Sequence, residues 1–203
     1  MTHILKFCGA VLLALATAPT FAADPFETAL AEIQRGTRTQ LSAEDRAHVL
    51  APWLAHALLK RKARPTQAER LAYLKEYPEG PLAHAVAEGL LREFAASAQH
   101  ANVVALHHYA RQKSDRCHVL ASEIALEHRP KDALVADALA LWDTDSSLPA
   151  SCDPVITFAD AEGAITADHV RARIARAFST GQAQLGVHLA GRLTKAEQLA
   201  YTH

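Results

Sequence analysis

The chain has 203 residues, half of them hydrophobic and 21% charged, which suits one globular domain or two small ones and excludes a disordered or low-complexity polypeptide. Alanine supplies roughly a fifth of the residues and leucine roughly an eighth, beside only 8 Gly and 9 Pro, so the composition favours helix and weighs against an all-β fold. The 21 Lys and Arg nearly balance the 22 Asp and Glu, and the basic footprint of a nucleic-acid binder is missing.

The N-terminus begins Met1-Thr2-His3-Ile4-Leu5-Lys6, continues as an apolar run from Phe7 to Ala16, and reaches small residues at Ala22 and Ala23 before Asp24. A charged start, an apolar segment and a small-residue cleavage site together predict a secretory leader over residues 1–22, cut after Ala22 or Ala23. The run is too short for a transmembrane helix, which needs about 20 apolar residues. Lys6 and Phe7 before Cys8 are unlike the residues that precede a lipidated cysteine. The expected mature chain, 23–203, is exported without a membrane anchor. It keeps two cysteines, Cys117 and Cys152, and an even pair in an exported chain favours a disulfide. The bridge would close a loop of about 36 residues, stabilising the fold by about 3–4 kcal/mol in the chain-entropy picture. Two separate buried thiols are the alternative, and a metal site is the weakest option because Arg116, His118, Ser151 and Asp153 offer only a loose ligand set.

In chain order, Ser42 and Asp45 start a predicted helix that runs to about Lys60 and is interrupted at Pro52, which either kinks it or begins a new helix. Thr66 and Glu69 repeat the start signal, and that helix stops before Tyr77-Pro78-Glu79-Gly80. Pro81 opens the next, where Leu82, Val86, Leu90 and Phe94 recur every four residues as a wide apolar stripe. Further short amphipathic helices are predicted near 101–111, 115–128, 130–143, 154–162, 167–179 and 182–192. Asp115, Thr166 and Thr180 stand at expected N-caps, and Gly163 and Gly181 at expected helix ends. Helices this short are unstable alone. The expectation is therefore an all-α fold of about eight to eleven helices, a solenoid-like stack of antiparallel helix pairs forming an α-superhelix.

Several segments resemble a known family. These are Leu50-Ala51-Pro52-Trp53-Leu54, Tyr77-Pro78 with Pro81-Leu82-Ala83, Arg116-Cys117, Leu141-Trp142, and above all Ser147-Leu148-Pro149-Ala150-Ser151-Cys152-Asp153-Pro154. They resemble the superhelical U-shaped domain of the soluble lytic murein transglycosylases. The resemblance implies a periplasmic role in peptidoglycan turnover, with glycan strands or a catalytic-domain partner as the ligand, and it also implies that the two cysteines pair. The family's chemistry belongs to a C-terminal lysozyme-like domain whose catalytic glutamate is followed by serine. No Glu precedes Ser in this sequence and its only methionine is Met1, so the 203 residues are expected to lack that domain and to be inactive alone.

Other candidates for chemistry are few. The carboxylate pairs Glu88 and Glu93, Glu123 and Glu127, and Asp143 and Asp145 read as solvated faces or turns, so no catalytic, cofactor or metal residue is assigned. His100, His107 and His108 fall within two turns on one side of a helix, a spacing that could hold a metal but reads first as surface histidines. Arg171, Arg173, Arg176 and Arg192 form the one basic set singled out as glycan-facing. The competing reading of the chain is a periplasmic helical-repeat scaffold that binds protein partners.

Overall fold

The structure, a computed structural model, describes residues 24–201. The predicted leader therefore lies outside the described residues. The described chain is all-α, 70% helical and without a strand. It divides into two compact units, one ending at Leu58 and one beginning at Leu59.

The first unit holds α1 (Pro25–Arg35), α2 (Ala43–Ala47) and α3 (Ala51–Arg61), the last running past the boundary. Helix α1 starts where Asp24 caps Phe26 N–H with Pro25 in the first turn, and it ends at Gly36, whose φ of 87° suits only glycine without strain. Its apolar face, Ala29 and Ile33, packs with Leu41 and Leu54. Arg38 joins the turn to both helices through Glu32 and Asp45. Of the two outcomes expected at Pro52, a kink or a new helix, the chain takes the second: α2 ends at His48 (ψ 142°) and α3 starts at Ala51 with Pro52 in its first turn.

The second unit runs through α4 (Gln67–Glu76), α5 (Pro81–Ala96), α6 (His100–Ala105), α7 (Lys113–Ala125), α8 (Lys131–Trp142), α9 (Asp153–Ala161), α10 (Ala167–Ser179), α11 (Ala183–Ala190) and α12 (Lys195–Leu199). Twelve α-helices therefore stand among the described residues, more than the eight to eleven expected, since α1 and α12 went unread. Helices pack mainly on their sequence neighbours, and α7 also touches α5 and α9. The apolar stripe of α5 is buried as its spacing predicts, with Val86, Leu90, Leu91 and Phe94 inside. Tyr109 donates to the Pro78 carbonyl at 2.8 Å, fastening a 3-10 turn at His107–Tyr109 to the Tyr77-Pro78 bend. Two buried clusters follow, one of Leu120, Leu134, Ala138, Val155 and Ala159, the other around Trp142, Val170, Ile174 and Leu189.

Caps test the reading of helix starts. Thr66 and Thr166 each accept from the backbone three residues on, and Glu69 and His169 reach back to the cap N–H. Thr66→Ala is expected to cost about 1 kcal/mol of stability, measured as a lower midpoint in urea unfolding. An unchanged midpoint would mean that packing alone holds the start of α4. Thr180 proves to be the C-cap of α10 rather than an N-cap, because Gly181 behind it takes φ 78° and ends the helix there.

Candidate functional site

The segment from Asp143 to Cys152 has no α-helix and no apolar run, yet it is held from two sides. At the start of α7, Lys113 Nζ donates to Thr144 Oγ1 at 2.9 Å and to Ser146 Oγ at 3.3 Å, and the Ser114 carbonyl accepts from Ser151 Oγ at 3.2 Å. One turn on, Cys117 is joined to Cys152 by a disulfide with both residues fully buried and Cα atoms 4.8 Å apart. From α10, Arg173 donates through Nε to Thr144 O at 3.2 Å and through Nη2 to Ser146 O at 3.0 Å, while Arg176 pairs with Asp143. A loop without its own ladder of hydrogen bonds must satisfy its backbone elsewhere, and Arg173 does so at the Thr144 and Ser146 carbonyls.

Two concavities flank this loop and its helices. The larger, of about 500 Å³, lies along α7 and α8 and is lined by Arg116, Val119, Glu123, Arg129, Asp137 and Leu141 among others. Arg129 spans it, donating from Nη2 to Glu123 at 2.6 Å and to Asp137 at 2.7 Å, and those two carboxylates hold its guanidinium above its ordinary value. The smaller, of about 210 Å³, is walled by Trp142, Leu148, Ile156, Leu185 and Arg173 with Asp153, His188 and Arg192. There the guanidinium carbons of Arg173 and Arg192 lie 4.3 and 4.8 Å from the Trp142 ring centroid, within cation–π range.

The four arginines singled out from the sequence do not make one solvent-facing basic surface. Arg173 is only 3% exposed. Burial first, and then Arg192 beside it, push its guanidinium down from its ordinary value. Arg171 is engaged with Glu197 and Asp168, Arg176 with Asp143 and Arg192 with Asp160. The reason is local: an acidic residue faces each exposed arginine, and the loop carbonyls take the buried one.

His107 and His108 are exposed, as surface histidines are expected to be, but the shared helix side is not formed. Helix α6 ends at Ala105 and the chain tightens into the 3-10 turn, so His100, His107 and His108 do not share one helix side. His100 Nδ1 meets Ser122 Oγ at 3.2 Å, and His107 Nδ1 lies 3.0 Å from Val104 O. His108 is held below its ordinary value by burial and then by His107 and His84. No group of three His, Cys, Asp or Glu side chains that could hold a metal ion occurs among the described residues.

Among the carboxylates, Glu88 pairs with Arg92, Glu93 with Arg70, and Glu123 with Arg129. Asp115 differs. It was expected as an N-cap, but α7 starts two residues earlier at Lys113 and carries Asp115 into the core with no exposed surface. Neither carboxyl oxygen has a hydrogen-bond partner of good geometry, and Arg92 Nε is 3.9 Å away. Burial, with Glu88 adding to it, raises this carboxyl above its ordinary value, and Arg92, His118 and the Ser114 hydroxyl do not reverse the shift. A raised carboxyl beside a second carboxylate is the pairing that glycoside chemistry uses, but Asp115 lines neither concavity and has no surface to offer a substrate.

From the sequence, Trp142 belongs to the 130–143 helix and to the Leu141-Trp142 segment of the resemblance; its role as a platform for two guanidiniums is not legible there. Its neighbours, Arg173 and Arg192, are 31 and 50 residues away, and no local pattern could have joined them. The chain matches no protein-family model, none of the curated proteins and none of the solved structures.

Proposed function

We propose that these 203 residues act as a non-catalytic α-superhelical module of the kind found in soluble lytic murein transglycosylases, binding peptidoglycan in the periplasm. The observation that carries the proposal is the tethered loop. Arg116-Cys117, Leu141-Trp142 and Ser147 to Pro154, the most specific of the resembling segments, converge on one disulfide and one pocket wall. An all-α chain whose short helices pack on their sequence neighbours is compatible with a superhelical stack. The concavities along α7 to α11 have the mixed polar and apolar lining that sugar and peptide ligands need.

The non-catalytic half of the reading rests on two facts. No Glu precedes Ser in the sequence, and the one carboxyl among the described residues that is raised by its surroundings, Asp115, is sealed in the core. Incubation of the purified chain with murein sacculi, followed by chromatography, is expected to release no anhydromuropeptides. Release that disappears on substitution of a single Glu or Asp of this chain would overturn it.

A further inference from the structure

We propose that the pocket beside Trp142 is a binding site for one carboxylate on a small apolar body, held between Arg173 and Arg192. The inference stands on the pocket's own charges and does not rest on the peptidoglycan reading.

Arg173 is almost wholly buried, yet it forms no ion pair with any described carboxylate, and its Nε and Nη2 are taken by the Thr144 and Ser146 carbonyls. Nη1 is left without a protein acceptor in a residue that lines the pocket. A buried cation is costly unless something offsets its charge, and carbonyl dipoles and a π face do so only in part. A second guanidinium, that of Arg192, lies over the same ring and adds repulsion. Arg192 has Asp160 for a partner, whereas Arg173 has no carboxylate in contact and feels Asp143 only at longer range. The exposed Asp153 also stands on the pocket wall, so the formal charges there nearly cancel, and it is the free Nη1 of the buried Arg173 that suits a monoanion over a phosphate dianion. Leu185 and Leu189 supply an apolar wall for a short aliphatic group. A carboxylate can accept one charge-assisted hydrogen bond from Arg173 Nη1 and another from Arg192, since Nε and Nη2 of Arg173 are already engaged. A volume of about 210 Å³ admits a short-chain acid or the last residue of a peptide.

Both sources present the same group, and the experiment separates them. In the full chain carrying Trp53→Phe, Trp142 is the remaining tryptophan and its emission reports on the pocket. Propionate, N-acetyl-alanyl-alanine and the C-terminal amide of that dipeptide are titrated by fluorescence and by calorimetry. The dipeptide acid is expected to shift Trp142 emission with a Kd on the order of 1 mM, and its amide to bind at least about tenfold more weakly. Propionate binding as well as the dipeptide acid would assign free small acids, and binding of the dipeptide acid alone would assign peptide C-termini; either outcome supports the site. Arg173→Gln risks the fold because the residue is buried, so the decisive variant is Arg192→Gln, whose side chain is one-third exposed. It is expected to weaken the acid by about tenfold while the far-ultraviolet spectrum is unchanged. Three results would each overturn the proposal: equal affinity for acid and amide, no response to any acid up to about 50 mM, or acid binding indifferent to Arg192→Gln.

Discussion

Cys152→Ser is expected to lower the free energy of unfolding by about 3–4 kcal/mol, a fall in Tm on the order of 10 °C for a chain of this size. The bridge spans a sequence separation of 35 residues, and the entropy that it removes from the unfolded chain grows with the logarithm of that loop. Within the folded chain it is the strongest of several ties on one loop. Lys113, Ser114 and Cys117 fasten residues 144–152 to α7, while Arg173 and Arg176 fasten residues 143–146 to α10. Serine at 152 would also leave a hydroxyl in a fully buried position. The check is calorimetric unfolding of the oxidised wild type against the variant, together with mass spectrometry after alkylation without reduction. A Tm unchanged within a degree or so, or two alkylatable thiols in the unreduced native chain, would contradict the expectation.

Asp115→Asn is expected to raise stability at neutral pH, because the amide keeps the shape and removes the charge that burial disfavours. The sign follows from the direction of the shift. Burial favours the neutral acid, so the folded carboxyl titrates above the unfolded value of about 3.9. The folded state then binds the proton more tightly than the unfolded one. Stability falls as pH rises from that unfolded value through the folded one, and the loss persists at neutral pH. Asparagine keeps the shape and removes the charge, so the gain should be present at pH 7 and vanish near pH 3, where both forms are neutral. Urea unfolding of the two proteins across that interval provides the comparison. A variant less stable at pH 7 would mean that the 3.9 Å approach of Arg92 outweighs the desolvation.

Legibility in the sequence followed the range of the interactions. Thr66 with Glu69, the four-residue stripe of α5, and the glycines at 163 and 181 act within one or two helical turns, and their helix starts, faces and ends were readable. Helix α1 carried equally local signals in Asp24, Pro25 and Gly36, and they were overlooked. Asp115 was misread because its side chain resembles a cap, whereas Gln112 in extended backbone marks the true start of α7. The spacing of His107 and His108 reads as helical, whereas the chain forms a 3-10 turn there, with Leu106 and Tyr109 buried between α6 and α7. The fate of the arginines was hidden for a different reason. Whether Arg173 meets water or Trp142 depends on a loop 27 residues upstream, and only tertiary packing brings the Thr144 and Ser146 carbonyls to it.

The peptidoglycan reading is tested most directly by sedimentation of the purified 23–203 chain with murein sacculi over a range of protein concentrations, beside a helical control protein of similar charge. Saturable retention in the pellet, lost after the sacculi are digested with a muramidase, is the predicted result. A chain that stays in the supernatant like the control, at every concentration, would contradict it and leave a protein-binding helical scaffold as the better description.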